Sequence, residues 1–213
     1  SMKLSYVNGR LIEAVYDTVP CFITERLILR PWHMEDVEDL FKYAKDPDIG
    51  LSAGWKPHKD VGESMEVIEN VFMKPGVYAI VYKETNEVIG SIGLHAGSKK
   101  SRGLGSDENQ AEIGYWIAKP YWGRGLIPEA AKELVDFGFL ELGLNRIWIA
   151  YFDGNHKSKR VAEKLGFTYS HFAENVVVEA LGETKKEHYM VLNKDEFDEA
   201  IKLKYRPLLA QRS

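Results

Sequence analysis

Only one cysteine, Cys21, occurs in 213 residues. A lone thiol excludes an intrachain disulfide framework and a cysteine-ligated metal site, and it fits a reducing compartment. Long apolar runs are also missing: no stretch approaches the roughly 18 residues that a membrane span requires. The first residues, Ser1-Met2-Lys3-Leu4, lack the apolar core of a secretory signal, and Ser1 ahead of Met2 reads as a tag scar. These absences predict a cytoplasmic protein with no membrane partner. An excess of basic charge is absent as well. Lys and Arg number 28 against 32 Asp and Glu, a net charge of −4, whereas a dedicated nucleic-acid binder needs a basic surface to neutralise phosphates. His33, His58, His95 and His156 show no pair at metal-ligand spacing, so no metal is predicted. No repeat, low-complexity tract or proline-rich linker divides the chain.

What is there is 45% hydrophobic residues, enough to build one core. The sequence divides into an N-terminal extension, residues 1–19, and one domain, residues 20–213. In the extension, Leu4-Ser5-Tyr6-Val7 and Arg10-Leu11-Ile12 flank Asn8-Gly9, the pair that most readily takes the two positive-φ positions of a type I′ turn. A hairpin over residues 3–16 is expected there, as cover for a sheet edge or a contact with a second subunit. From Phe22 an alternating pattern predicts a first strand that ends before Pro31. A helix follows on the stripe Val37, Leu40, Phe41 and Ala44, with Asp46-Pro47 as its stop, and a weaker helix spans residues 63–73. Strands over 77–82 and 88–94 read as an antiparallel meander, and a polar loop over 95–109 carries Lys99, Lys100 and Arg102. A strand over 112–117 leads to a long helix that buries Ala131, Leu134, Val135 and Gly138. A strand over 147–151, a helix over 158–165, strands near 167–173 and 188–192 and a polar helix from Lys194 complete an α+β plan.

The most informative stretch is the strand, Gly-Arg-Gly turn and helix over residues 117–142. A helix N-terminus presents unpaired backbone N–H groups and a positive dipole end to an anion. Glycines at 123 and 125 let that backbone come close, and Pro128 sits in the first helical turn, where its missing N–H is tolerated. A diphosphate is the natural guest. There is no Gly-Lys-Ser/Thr ending of a nucleoside-triphosphate loop, and Pro128 stands where a dinucleotide fingerprint has its third glycine. By itself the glycine pair is equally a plain strand-to-helix turn. The second constellation, Asn155, Ser158 and Arg160 to Phe167, is by itself a helix closed by Gly166 with a core Phe167.

Together these stretches are specific. Gly-Arg-Gly-Leu-Ile-Pro-Glu-Ala at 123–130, followed about thirty residues later by Asn-x-x-Ser-x-Arg-Val-x-Glu-Lys-Leu-Gly-Phe, resembles the GNAT superfamily of acyl-CoA-dependent N-acetyltransferases. Thr24 to Trp32 and Ala111 to Trp116 are similar to the branch containing the ribosomal-protein N-terminal (alanine/serine) acetyltransferases. The resemblance covers residues 22–193. It implies a mixed central sheet with flanking helices, splayed between its fourth and fifth strands, here 112–117 and 147–151, with acetyl-CoA as co-substrate in the gap. It implies a coenzyme site formed by Ile117, Ala118, Lys119, Trp122, Gly123, Arg124, Gly125, Leu126, Ile127, Asn155 and Ser158. Trp122 stands where the family often has Arg or Gln, and Ile127 where it has a small residue. The tyrosine that many members use as general acid aligns with Ala162, so that acid does not carry over.

The chemistry requires a base, because an alkyl amine has a pKa near 10 and must lose a proton before attacking a thioester. Glu112 is the candidate, directly or through a water, against a role pairing an arginine at the sheet rim. A backbone N–H within 115–117 is the implied oxyanion donor. Ser158 is the candidate partner or acid for the sulfur, against a plain helix-start residue. Asn155 is either a coenzyme contact or an ordinary turn residue. Tyr151 and Tyr189 are assigned to packing. Trp55, after the first helix, is the candidate wall of the acceptor pocket. The expected activity is transfer of an acetyl group to a primary amine: a protein N-terminus, or a small cationic amine such as a polyamine or antibiotic. A non-catalytic acyl-CoA sensor is the alternative of a different class, and a homodimer is the expected assembly.

Overall fold

A computed structural model describes residues 2–7, 10–15, 21–96 and 109–210 of the chain. β1 (Met2–Val7) and β2 (Arg10–Val15) pair antiparallel as a separate two-stranded sheet, with Val7 opposite Arg10. That register leaves Asn8-Gly9 as the connection, itself outside the described residues. Of the polar loop expected over 95–109, residues 97–108 also lie outside them, while His95 and Ala96 belong to a strand.

The expected first strand is two strands. β3 (Phe22–Ile23) and β4 (Leu27–Arg30) fold back on each other, closed by the Thr24 N–H donating to the Leu27 carbonyl at 2.9 Å. The alternation continues across the turn, which is why it reads as one strand. After β4, Asp36 accepts a two-pronged pair from Arg30 at 2.8 and 2.9 Å and the His33 N–H at 2.8 Å. This buried carboxylate fixes the entry to α1 (Val37–Ala44).

Asp46-Pro47 ends α1 and also begins a helix that was not expected, α2 (Pro47–Ala53). The Asp46 carboxylate accepts the Asp48 N–H and Pro47 takes the first helical position, where no N–H is needed. Gly54, at φ +84°, closes α2. The weaker helix is α3 (Val61–Val67), capped by Asp60, and it runs into a π turn over Ile68–Phe72. Phe72 stacks on Trp32 at 4.8 Å.

The main sheet continues with β5 (Val77–Tyr82), β6 (Glu87–Ala96) and β7 (Gln110–Ile117) in antiparallel order. α4 (Leu126–Leu140) then crosses to β8 (Arg146–Phe152), which runs parallel to β7. α5 (His156–Lys164) precedes β9 (Thr168–Val178) and β10 (Glu183–Asn193). The last two form a hairpin longer than expected, and β10 inserts between β8 and β9. α6 (Lys194–Ala210) closes the chain, tied to α4 by stacking of Phe139 on Phe197 at 4.7 Å. Among the described residues the architecture is α+β, with one parallel pair in an eight-stranded sheet.

α4 buries Leu126, Ile127, Ala130, Ala131, Leu134, Val135, Gly138 and Phe139, the expected face. Gly138 packs tightly: a Cβ there would meet Ile147 Cδ1 at 2.8 Å and Leu144 Cδ1 at 3.0 Å, so both side chains would have to shift. The helix therefore lies close on β8 and sets where its own N-terminus meets the sheet.

Candidate active site

The parallel pair β7–β8 is joined over four residue pairs, Gln110↔Arg146 to Ile113↔Ile149, and no further. Beyond that point β7 stays paired with β6 as far as Ile117, and β8 stays paired with β10 as far as Phe152. The sheet therefore opens into a gap between residues 114–117 and 150–152, the splay expected between the fourth and fifth strands.

A cavity of about 810 Å³ lies at this opening, within the range of small-molecule sites. Of the predicted coenzyme residues, Ile117, Trp122, Gly123, Gly125, Leu126, Ile127, Asn155 and Ser158 line it. Ala118, Lys119 and Arg124 stand behind or beside it. Ala118 is buried in the core, Lys119 pairs with Asp48 at the rim, and the Arg124 guanidinium sits 5.0 Å from the Tyr121 ring.

Gly123 and Gly125 both adopt φ +74°, a left-handed conformation that costs other residues about 1–2 kcal/mol. The first hydrogen bond of α4 runs from the Glu129 N–H to the Gly125 carbonyl at 3.2 Å, and Pro128 has no N–H. The N–H groups of Leu126 and Ile127 thus precede the ladder and project from the helix end. Arg26, which sequence reading treated only as part of a family signature, fixes this turn. Its Nη1 donates to the Arg124 carbonyl at 3.0 Å, and its Nε to Glu129 Oε1 at 2.8 Å. Glu129 also accepts the Arg26 N–H at 3.0 Å and the Thr24 hydroxyl at 2.6 Å. Burial alone would raise the Glu129 carboxyl, but these hydrogen bonds and the guanidinium charge outweigh it and hold the group below its ordinary value.

Trp122 has a definite task. Its indole N–H donates to the Ile117 carbonyl at 2.8 Å, tying the end of β7 to the glycine turn. Lys157 of α5 places its ammonium 3.8 Å from the same ring. Around the cavity stand Lys157, Arg160, Lys164 and Lys185 against Asp48 and Asp153. The chain is acidic overall, yet this rim is cationic. Asp48 is paired with Lys119, and Asp153 with His188 at 2.6 Å, which lowers the Asp153 carboxyl.

Backbone direction along β7 follows from one close approach. A Cβ at Gly90 of β6 would lie 2.4 Å from the Trp116 carbonyl oxygen, so that carbonyl faces β6. Consecutive residues of a strand aim their backbone groups to opposite sides. Those of Tyr115 and Ile117 therefore face the gap, and the Trp122 contact with the Ile117 carbonyl agrees. The N–H groups of Tyr115 and Ile117 are available there as donors to a developing oxyanion.

Side chains alternate in the perpendicular direction. Tyr115 points toward α5, where its hydroxyl donates to Ser158 Oγ at 2.8 Å. Burial pushes the Tyr115 phenol up to about 12, against a smaller lowering from the Ser158 contact. Trp116 packs on the opposite face with Phe72 at 6.3 Å and Trp55 at 6.1 Å. Glu112, 8% exposed, shares the face of Trp116 and sits one pair before the splay. Glu112 and Trp55 are thus brought to the far face of β7 and do not line the cavity that holds Ser158. On that far face also lie Trp148, whose indole donates to Gln110 at 2.9 Å, and Tyr189, whose hydroxyl donates to the buried Glu187 at 2.7 Å. Asn155 caps α5, its side-chain oxygen accepting the Ser158 N–H at 3.3 Å. Tyr151 stacks on His188 at 5.0 Å, a packing role as expected.

A family model described as the Acetyltransferase (GNAT) domain matches residues 26–168. The chain belongs to the GNAT acetyltransferase family. It is 32% identical over 149 residues to "Uncharacterized N-acetyltransferase p20" of Bacillus licheniformis, covering 68% of this chain and 80% of that one. A Bacillus subtilis protein provisionally named a ribosomal N-acetyltransferase, YdaF, is 44% identical over 78 residues, 37% of this chain and 39% of that one. Among solved structures, a GNAT acetyltransferase from Bacillus anthracis superimposes with a TM-score of 0.71 at 21% identity, covering 83% of this chain and 100% of that one. This GNAT protein is therefore an acetyl-CoA-dependent N-acetyltransferase. The residues present suit that co-substrate: a glycine turn with free helix N–H groups for a diphosphate, and a cationic rim for further phosphate. Among the described residues no helix is long and apolar enough to cross a membrane.

Proposed function

We propose that the protein transfers the acetyl group of acetyl-CoA directly to a primary amine, the N-terminal amine of a protein, which enters on the Glu112 and Trp55 face of β7. The observation that carries this reading is the parting of β7 and β8 after Ile113 and Ile149, which opens the coenzyme cavity toward that face. Acetyl-CoA supplies an activated thioester carbonyl. The turn from Trp122 to Ile127 holds its diphosphate, and the cationic rim its remaining phosphate. The N–H groups of Tyr115 and Ile117 donate to the carbonyl oxygen as negative charge gathers on it. Glu112 receives the proton that the amine gives up, directly or through a water. Trp55, half-buried against Trp116 and His58, forms the wall for the acceptor.

The name of one relative supports a protein acceptor, since the 44% identical protein carries the provisional name of a ribosomal N-acetyltransferase. A second reading, a small cationic amine, is favoured by the carboxylates Glu112 and Glu187, 8% and 5% exposed, on the acceptor face. Calorimetric titration with acetyl-CoA, followed by thiol release with N-terminal peptides and with pooled polyamines and aminoglycosides, separates them. Binding with release for peptides is the expected result. Release for the amine pool alone selects the second reading, and absence of acetyl-CoA binding overturns both.

A further inference from the structure

The contact between Tyr115 and Ser158 joins the two walls of the cavity. One partner comes from β7 and the other from the first turn of α5, and both line the space between. A serine hydroxyl has one hydrogen and two lone pairs. At 2.8 Å the phenol, the stronger acid, donates into one lone pair of Ser158 Oγ. With the phenol as donor, the Ser158 hydroxyl keeps its own hydrogen, and because Ser158 lines the cavity that hydrogen can be directed into it.

We propose that Tyr115 is a positioning residue that fixes Ser158 as hydrogen-bond donor to the sulfur of coenzyme A, so that the two hydroxyls together stabilise the departing thiolate. This rests on the reading of the cavity as the coenzyme site. The α5 position where a tyrosine would serve as acid holds Ala162, fully buried. Here a phenol reaches the same cavity from the strand instead, acting through a serine. As the C–N bond forms and the C–S bond breaks, Ser158 donates to the sulfur receiving the electron pair, and the amine proton passes to Glu112. The thiolate takes its proton from solvent on release.

Burial argues against the alternative that Tyr115 hands its own proton through Ser158: a thiol titrates near 8.5, and desolvation raises the phenol further above that from its ordinary value, so complete transfer is disfavoured. Donation of hydrogen bonds carries no such penalty, and bonds to an ionised acceptor are about twice as strong as neutral ones.

The test needs no acceptor. Free coenzyme A is titrated with pH while bound to the protein, its thiolate followed by ultraviolet absorbance, and its affinity measured by calorimetry. In the wild type the bound thiol ionises about tenfold more readily than free coenzyme A. Ser158→Ala abolishes that gain, Tyr115→Phe removes about half of it, and the double variant equals Ser158→Ala. Site-specific 3-fluorotyrosine at position 115, a near-isosteric stronger donor that covers the case of a misfolded Tyr115→Phe, moves ionisation further in the same direction. Tight binding with ionisation unchanged across all of these variants overturns the dyad but leaves the coenzyme site standing. No binding of coenzyme A to the wild type overturns the site itself.

Discussion

Along β7, the residues facing α4 and α5 and the residues facing α1 to α3 meet their surroundings by different means. On the first side, the floor of the cavity is largely backbone: two left-handed glycines, the free N–H groups at the start of α4, and strand N–H groups beyond the splay, with Tyr115 and Ser158 between its walls and the cationic side chains at its rim. On the second side the material is side chains: Glu112, Trp116, Trp55, Phe72 and the polar pairs Trp148–Gln110 and Tyr189–Glu187. Backbone recognition depends on conformation and tolerates changes of residue, so the proposed coenzyme turn can accommodate Trp122 and Ile127 in place of the family's more usual residues. Side-chain recognition depends on identity and changes with the acceptor.

That contrast predicts separable effects. The largest is expected from Glu112→Gln, which lowers kcat about 100-fold, the usual scale of general-base catalysis, while calorimetric affinity for acetyl-CoA stays within twofold. Equal loss of both would erase the division between the faces. Next is Gly125→Ala, with about a tenfold loss of acetyl-CoA affinity from left-handed strain and an unchanged acceptor KM once acetyl-CoA is saturating. Smaller is Glu129→Gln, which loosens the Arg26 anchor and costs about 1 kcal/mol of stability by denaturant titration, a charged hydrogen bond discounted for partial exposure. Glu129 is held below its ordinary value in the folded protein. Its contribution is therefore present above the unfolded value near 4.5 and lost as pH falls through the lower folded one. Glu129→Gln should flatten the stability curve in that acid window and leave it parallel to the wild type near neutrality. The smallest effect is Trp55→Ala, a threefold to fivefold rise in acceptor KM by steady-state kinetics, with acetyl-CoA binding unaltered.

The coenzyme side was legible in the sequence because its requirements are local. Glycines at 123 and 125, a proline in the first turn and the stripe on α4 each follow from short-range geometry, and each has its expected place in the fold. The tertiary partners were less legible. Arg26 and Glu129 lie 103 residues apart, and nothing in a strand pattern marks an arginine as the anchor of a distant turn. Tyr115 sits in a buried strand among apolar neighbours, where its hydroxyl carries no sequence signal until Ser158 is seen opposite. Asp46-Pro47 shows the limit of boundary signals, since the residues that end one helix are also the best residues to begin another. Asn155 carried two readings, and the structure uses its oxygen as the cap of α5 while leaving the residue on the cavity wall.

Gly90 has a consequence that reaches beyond packing. Because only glycine lets β6 approach the Trp116 carbonyl so closely, it sets the phase of β7. A slip of one residue would exchange odd and even positions, presenting Trp116 to the coenzyme and Tyr115 to the acceptor. An insertion or deletion in β6 or β7 is thus expected to disable recognition of both substrates at once. Changes in length within α2, or in the segment that joins β6 to β7, leave that parity untouched. New acceptors can then be acquired by altering the periphery of the sheet while the alternation along β7, odd positions toward the coenzyme cavity and Glu112 on the other face, is kept.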